Sequence, residues 1–277
     1  MTSSPVNAVL DTTILVDALL KSDEKAKAAK SALKKCDNTI IHSYAIKEFK
    51  RGALKNYSYL YNKTKLVTSY SALLAVLSKL SATPQKNKTS TALEALRDFH
   101  SGIEKKTDKL KFTNVTYADL SNILLDQMRL WLKAKILRAW KNRYKYGNSR
   151  IGDLSCFKEP DVFEADNGLI EVSNRFCSVA DCCLRQKYIG RSQDLEKLLK
   201  ACKNLPKKRE SEKRYQSIRR LERTPKRDMP EEHCIALGDA VFVLDCPAGA
   251  FVMTTNLQDF EPLAEALEID VKAPNAV

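Results

Sequence analysis

The sequence predicts an α/β fold in which a parallel sheet is flanked by helices. Short apolar or β-branched strands alternate with helical segments near both chain ends, which is typical of parallel strands joined by helical crossovers. Two of these strands lie near each end of the chain, so distant segments must close one sheet. The chain has 277 residues, of which 44% are hydrophobic and only 8 are Gly, and this is enough to bury a sizeable core.

The N-terminal elements follow from their local patterns. Residues 8–10 form a short apolar strand that ends in Asp11, and 14–20 continue as the start of an apolar helix. A second helix, rich in Lys and Ala, extends to Lys35, and its acidic first turn suits the helix dipole. Residues 39–42 are β-branched and read as the second strand.

The next segment is mostly helical. Ser43 is a predicted N-cap for a helix that carries Glu48. A further helix is predicted over 66–80, and a polar stretch at 85–90 separates it from a helix through 93–99.

The middle of the chain changes character. Residues 111–115 read as a third strand, and apolar side chains then recur at helical spacing from 120 to about 140. Residues 144–160 contain Gly and mixed polarity and are predicted to be loop-like, and 184–205 are predicted to hold one helix.

The C-terminal part is regular again. A helix is predicted from Pro230 through Asp239, followed by a strand at 250–253. A short helix over 260–267 and an edge strand at 269–271 complete the chain.

Charge and cysteine usage restrict the class of protein. The formal net charge is +13, which favours a polyanionic partner, although a basic but inert surface would have the same composition. The N-terminus lacks a signal-like pattern, and no run of about 18 apolar residues predicts a membrane span. The eight cysteines are therefore expected to be reduced thiols in a cytoplasm.

Acidic side chains lie near both chain ends, in short segments that each have the pattern of a strand followed by a helix. They are Asp11, Glu48, Asp239 and the Asn256/Asp259 pair. Carboxylates at the carboxyl ends of parallel strands converge on one crevice of an open sheet. Clustered acids raise one another's pKa unless a cation joins them, and Mg²⁺ is the usual cation beside phosphates.

Each acid also has a structural interpretation. Asp11 could cap the helix that follows it, Glu48 could be a surface charge, and Asp259 could cap a helix instead of binding a metal. Asp239 lies on an apolar stripe, where an unpaired carboxylate is costly, and this favours a functional role. Asp245, six residues later, is predicted to be peripheral.

Taken together, four motifs resemble those of PIN-domain ribonucleases, which occur as toxins of bacterial toxin–antitoxin pairs. Residues 9–15 (VLDTTIL) are similar to the opening strand and first acid of that family, and 43–52 (SYAIKEFKRG) are similar to its second signature. Residues 238–240 (GDA) resemble its third motif, and 253–260 (MTTNLQDF) its fourth.

Three departures accompany the resemblance. Thr13 stands where the family commonly has Asn or Ser, and Asn256 stands where some members have Asp. The separation of Glu48 from Asp239 is far longer than a minimal member needs. The chain is therefore divided into a discontinuous PIN-like nuclease core, 1–142 and 230–277, and a basic insertion of helices and loops, 143–229.

The resemblance implies a metal-dependent endoribonuclease that hydrolyses phosphodiester bonds. Four acids would hold Mg²⁺ or Mn²⁺, namely Asp11, Glu48, Asp239 and Asp259. The reaction centre would also include Asn256, Thr254 and Thr12. The runner-up activities are a DNA or flap-type nuclease and a nucleic-acid-binding protein that no longer binds metal, and the Asn at 256 favours the latter.

Basic residues in two segments are predicted to contact RNA, because cations bind phosphates and neighbouring aromatic rings stack on bases. They are Lys133, Lys135, Arg138, Lys141, Arg143, Lys207, Lys208, Arg209, Lys213, Arg214, Arg219 and Arg220. A solvated helix face around 133–146 and a disordered arm over 207–227 are the alternatives.

The resemblance also implies a setting. A toxin or defence effector that cleaves cellular RNA, such as tRNA, is expected, with a protein inhibitor or antitoxin as a candidate partner. A homodimer is a further candidate, because the apolar helix at 14–20 could offer a surface for it. No membrane partner is expected.

Overall fold

The computed structural model describes residues 5–81, 86–107, 116–152, 162–172, 183–205, 209–223 and 230–277. Within these ranges seven strands form a five-stranded sheet and a separate hairpin. The strands are β1 (Asn7–Leu10), β2 (Asn38–His42), β3 (Ser149–Ile151), β4 (Val162–Glu164), β5 (Ile170–Val172), β6 (Ala250–Met253) and β7 (Asp270–Lys272). The sheet has the order β3-β2-β1-β6-β7, and every pair in it is parallel.

Helices flank this sheet, which confirms the predicted fold class of a parallel α/β protein. In chain order they are α1 (Thr12–Leu20), α2 (Glu24–Lys35), α3 (Ser43–Phe49), α4 (Lys55–Lys65), α5 (Tyr70–Ser81), α6 (Lys86–Thr107), α7 (Tyr117–Lys141), α8 (Cys183–Tyr188), α9 (Ser192–Asn204), α10 (Arg209–Arg223), α11 (Glu231–Ala236), α12 (Gly238–Leu244) and α13 (Leu257–Ala266). A π-helical turn, Lys50–Leu54, joins α3 to α4, and a 3-10 turn, Pro274–Ala276, ends the chain.

The central strand β1 lies between β2 and β6 and aligns the ends of all three. Leu10 is in register with Ile41 on one side and with Met253 on the other. The three strands are buried apart from their first residues, because helices cover the parallel sheet. Their carboxyl ends therefore meet at one edge, where Asp11 and Thr254 follow directly.

The edge strand β3 corrects the prediction of a loop over 144–160. Residues 149–151 pair with β2. Just before them, the backbone at Gly147 passes close to Ile41 of β2. A Cβ at Gly147 would lie 2.5 Å from Ile41 Cδ1, so any larger residue there would require the buried Ile41 side chain to shift. The strand predicted at 111–115 lies outside the described residues.

Helix boundaries differ from the predictions in five places. The single helix predicted from Pro230 through Asp239 is divided at Leu237 into α11 and α12. The single helix expected over 184–205 is two helices, α8 and α9, separated around Gly190. The helix expected from 66 begins at Tyr70, and the polar stretch at 85–90 lies partly inside α6. The predicted N-cap Ser43 is instead the first residue of α3. His42 is the cap, because its Nδ1 accepts a hydrogen bond from the Tyr44 N–H.

Helices from the middle of the chain pack against the C-terminal part of the core. Helix α9 contacts α13, and α10 contacts both α9 and α11. Leu198 on α9 and Ile218 on α10 are fully buried in these contacts. The range 143–229 therefore contributes an edge strand to the sheet and a helix beside the crevice where the acidic residues lie.

Two further predictions concern the helices: a dimer surface on α1 and the lack of a membrane span. Most apolar side chains of α1, including Ile14, Leu15 and Leu20, are buried inside the chain, so they do not form the exposed apolar surface that was suggested for a dimer, and the homodimer stays a prediction. In the described part of the chain, none of the helices combines the length and the apolar character that crossing a membrane requires.

Candidate active site

Asp11 lies at the end of β1 and is fixed by three hydrogen bonds. Its Oδ1 accepts from the Thr12 N–H at 2.6 Å, so Asp11 is the N-cap of α1, as the structural interpretation predicted. Its Oδ2 accepts from the hydroxyls of Thr13 and Thr254, each at 2.7 Å. Asp11 is 3% exposed, so these bonds replace the water that burial removes. Capping alone would not need the second oxygen.

Glu48 is joined to Asp11 through a shared threonine. The Thr12 hydroxyl donates to Glu48 Oε2 at 2.6 Å, while the Thr12 backbone N–H donates to Asp11. The other oxygen, Oε1, faces Gly238, where a Cβ would lie 2.5 Å away. Glu48 is therefore part of the crevice, and the alternative of an exposed surface charge is wrong.

Asp239 is brought beside Glu48 by the packing of α11 and α12 against α3. The buried Tyr44 hydroxyl donates to the carbonyl of Cys234 at 2.7 Å, which attaches α11 to α3. Asp239 then follows in the first turn of α12. Its Oδ2 pairs with Nη2 of Arg214, whose side chain is 9% exposed.

Asn256 and Asp259 form a pair at the start of α13. Asn256 occupies the N-cap position but makes no side-chain cap bond, and its Nδ2 donates to Asp259 Oδ2 at 2.7 Å. The Asn256 N–H donates to the Thr254 hydroxyl at 2.9 Å, which connects this pair to Asp11. Asp259 lies inside the first helical turn, so it is not the N-cap that the alternative proposed.

Burial raises the pKa of all three central acids. The pKa of Glu48 rises to about 8, through burial first and then through the charges of Asp11 and Asp239. The pKa of Asp239 rises to about 7, through burial and then the charges of Asp11 and Asp259, which together outweigh Arg214. Burial also raises the pKa of Asp11, against its hydrogen bonds from Thr13 and Thr254. The acids thus repel one another in a poorly hydrated crevice.

Two clefts open beside this crevice and share Ile235 as a wall. The larger, about 350 Å³, is lined by Asp239, Asp259 and Arg214 among others. The smaller, about 280 Å³, is lined by Glu48 together with Lys47 and Arg51. Each cleft therefore combines at least one carboxylate with cationic side chains, an arrangement that suits an anionic ligand positioned next to acids.

The donor chemistry of the crevice suits a hard divalent cation, because carboxylate and hydroxyl oxygens are the donors that Mg²⁺ and Mn²⁺ prefer. In the described part of the chain, however, no group of three or more His, Cys, Asp or Glu side chains is arranged to hold a metal ion. Asp239 faces Arg214, and Asp11 faces hydroxyls. The residue types therefore fit the predicted metal, while the guanidinium of Arg214 now neutralises one of its acids.

The basic segment around 133–146 is partly engaged within the chain. Lys133 pairs with Glu164, and Lys135 lies 3.1 Å from Asp98. Burial lowers the pKa of Lys135. Arg143 stacks on two aromatic neighbours, with 4.1 Å from its guanidinium carbon to the ring of Trp140. The exposed members of the predicted RNA-binding set in this segment are Arg138 and Lys141.

The second basic segment forms α10, which lies beside the larger cleft. Lys213 pairs with Glu232 at 2.6 Å across that cleft, and Arg214 points to Asp239. Arg219 is exposed, and Arg220 is partly exposed. The alternative of a disordered arm is wrong for 209–223. Lys207, Lys208 and the side chain of Arg209 lie outside the described residues.

Three features of the crevice were missed from the sequence. Thr13 was noted only as a departure from the family, yet its hydroxyl holds Asp11. Gly238 was quoted only as a neighbour of Asp239, although its missing side chain makes room for Glu48. Arg214 was predicted to contact RNA, which stays a prediction, and its contact with Asp239 was not predicted. A hydroxyl pair directly after Asp11 was the one local signal available.

The chain matches no known protein family, no characterised protein and no solved structure. What the crevice does must therefore be inferred from the chemistry of its own residues.

Proposed function

We propose that this chain is a metal-dependent endoribonuclease with a PIN-like core. The observation that carries the proposal is the meeting of Asp11, Glu48 and Asp239, from three separate segments, in one crevice at the carboxyl edge of a parallel sheet. Their raised pKa values show that the fold keeps acids together at a cost in stability. Such a cost is common where groups are arranged for binding or catalysis rather than for stability.

A bound Mg²⁺ or Mn²⁺ would polarise a phosphoryl oxygen and lower the pKa of a bound water. Asp11, Glu48 and Asp239 would hold it, with Asp259 beside them. The protein's own contribution is positioning, because Thr12 and Thr13 fix the carboxylates of Glu48 and Asp11.

Glu48 is held in a fixed orientation. Its pKa of about 8 applies to the metal-free protein, and a divalent cation beside it would favour the ionised carboxylate and lower that value. Thr12 holds Oε2, and Oε1 faces Gly238, so the carboxyl group has one fixed orientation.

The substrate we propose is RNA. The net charge of +13 favours a polyanion, and the clefts beside the acids contain Lys47, Arg51 and Lys213. By the resemblance of its motifs, the chain would act as a toxin or defence effector on cellular RNA in a cytoplasm, with an inhibitor protein as partner.

The test is cleavage of labelled RNA and DNA side by side, with Mg²⁺, with Mn²⁺ and with a chelator. We expect metal-dependent internal cleavage of RNA and loss of that cleavage in Asp11→Asn. Preferential cleavage of DNA would instead support the DNA or flap-type alternative, since the same metal chemistry serves both polymers.

A second candidate is a nucleic-acid-binding protein without cleavage activity. The ion pair between Arg214 and Asp239 favours it, because a guanidinium already neutralises an acid that a metal would need. RNA binding without cleavage at any metal concentration would support this candidate over the nuclease.

A further inference from the structure

Helix α10 inserts a cation into the acidic crevice from outside the sheet. Nη2 of Arg214 pairs with Asp239, and Nη1 lies 3.4 Å from the Asp259 carbonyl oxygen. We propose that Arg214 is a built-in inhibitor, which occupies Asp239 and must leave it before a divalent cation can bind. This inference rests on the proposed function, because a metal at these acids is its premise.

The position of Arg214 is set by packing and not by a loose side chain. On the same helix the Ser217 hydroxyl lies 2.8 Å from His233 Nδ1, and Lys213 pairs with Glu232, so α10 is attached to α11 at two points. Ile218 is fully buried. Because α11 leads directly into α12, these contacts hold Arg214 opposite Asp239.

The contact between Arg214 and Asp239 is incomplete, so it can be exchanged. Within the described residues, Nε of Arg214 is buried without a hydrogen-bond partner. A buried guanidinium that leaves one donor unsatisfied loses part of what its ion pair contributes.

The larger cleft adjoins this contact. Arg214 and Asp239 both line it, as do Lys213 and Glu232. A guanidinium that leaves Asp239 therefore has space on the same side of the crevice. Phosphate oxygens would bind it there, because arginine pairs with phosphate through two parallel hydrogen bonds.

The experiment measures Mn²⁺ binding to the full chain by isothermal titration calorimetry, after a chelator has been used and removed. Arg214→Met keeps the aliphatic stem but removes the charge, and we expect it to bind Mn²⁺ at least about tenfold more tightly, a change of about 1.4 kcal/mol. The matched control, Lys200→Met, removes an exposed cation from the neighbouring helix α9, where it pairs with Glu196, and we expect its affinity to stay within about twofold of wild type.

Two further variants keep the test decisive. Adding Asp239→Asn to Arg214→Met should erase the gain, because the acid that was freed is then gone. If Arg214→Met is unfolded at the titration temperature, Arg214→Gln carries the same expectation, and thermal melting with and without Mn²⁺ gives a second readout. The rise in Tm on adding Mn²⁺ should be larger in the variant than in wild type.

The outcomes separate this inference from the proposed function. Equal Mn²⁺ affinity in wild type and Arg214→Met, with binding measurable in both, overturns inhibition by Arg214 alone. Weaker binding in the variant overturns it as well. The absence of Mn²⁺ binding in both proteins removes the metal site, and the proposed metal-dependent cleavage fails together with the inference.

Discussion

Helix α12 has an aspartate near each end, and the pKa values of the two are shifted in opposite directions. Asp239, in its first turn, has a pKa raised to about 7, whereas the pKa of Asp245, at its C-cap, is lowered. Burial acts to raise the pKa of both. At Asp245, hydrogen bonds from His42 and Lys187 outweigh burial, while at Asp239 a single Arg214 faces two further acids.

The difference shows how a structural acid can be told from a candidate functional one. His42 is fully buried, its Nδ1 accepts from the Tyr44 N–H, and its Nε2 lies 2.6 Å from Asp245 Oδ2. Both ring nitrogens of His42 have partners, Asp245 Oδ2 is shared with Lys187, and the contact joins β2 to α12. Asp239 instead lies among like charges beside an open cleft. The first arrangement stabilises the fold, and the second stores repulsion that a ligand could relieve.

The largest expected effect is on catalysis at the Asp239 end. Asp239→Asn should lower RNA cleavage by about 100- to 1000-fold, the range for removing one electrostatic group from a reaction centre. Asp245→Asn is the matched control, and its folded fraction should cleave at close to the wild-type rate. Initial rates at limiting Mg²⁺, corrected for folded protein, give the measurement. Equal losses in the two variants would remove the distinction between the two ends of α12.

The next effect is on stability at the Asp245 end. Asp245→Ala leaves His42 and Lys187 without their shared acceptor, and we expect a loss of about 3 kcal/mol in the free energy of unfolding, as for a broken buried pair. Urea denaturation followed by circular dichroism measures it. Asp239→Ala leaves Arg214 without its acidic partner, but it also removes repulsion from Asp11 and Asp259, so we expect a smaller loss. A larger loss at Asp239 would reverse the assignment of roles.

A smaller effect is expected at Gly238, where the lack of a side chain makes room for Glu48. Gly238→Ala places a Cβ against Glu48 Oε1 and should destabilise the protein by about 1–3 kcal/mol, the usual cost of overpacking. It should also lower cleavage by displacing Glu48. Gly52→Ala is the control, because nothing lies within 4 Å of that Cβ, and Ala suits a helical turn better than Gly. Unchanged activity in Gly238→Ala would show that the position of Glu48 is unimportant.

The most gradual expected effect is a dependence of stability on pH. The native protein retains protons on Glu48 and Asp239 up to pKa values of about 8 and about 7, whereas the unfolded chain releases them near 4.5 and 3.8. The native state therefore binds more protons across this window, and the metal-free protein should lose stability as pH rises through it. Each group changes the free energy of unfolding by at most about 1.4 kcal/mol per pH unit.

Denaturation at several pH values between about 5 and about 8 tests this slope. Glu48→Gln should flatten it, because the amide does not titrate. Asp245 contributes with the opposite sign, since its lowered pKa gives stability that is lost only as pH falls below about 4. If the free energy of unfolding of the wild-type protein increased with pH in the upper part of this range, the raised pKa values would be contradicted.

Local patterns were sufficient for most of the sheet. β1 and β2 were predictable because short apolar or β-branched runs end in a polar residue, and the confirmed strand at 250–253 has the same form. Strand β3 was not predictable, because three residues of mixed polarity carry no periodicity. They are a strand only because β2 offers an unpaired edge and Gly147 lets the chain approach it.

The sequence by itself determined the parallel α/β fold and the positions of Asp11, Glu48 and Asp239 after their strands or in their helices. Alternation of strands and helices fixes such positions locally. Only the tertiary structure decided the distant contacts of these acids: Thr254 for Asp11, Thr12 and Gly238 for Glu48, and Arg214 for Asp239. Those partners lie 25 to 243 residues apart in the pairs Arg214–Asp239 and Thr254–Asp11. Contacts of that kind depend on how helices pack against the sheet, and local propensity carries no information about them.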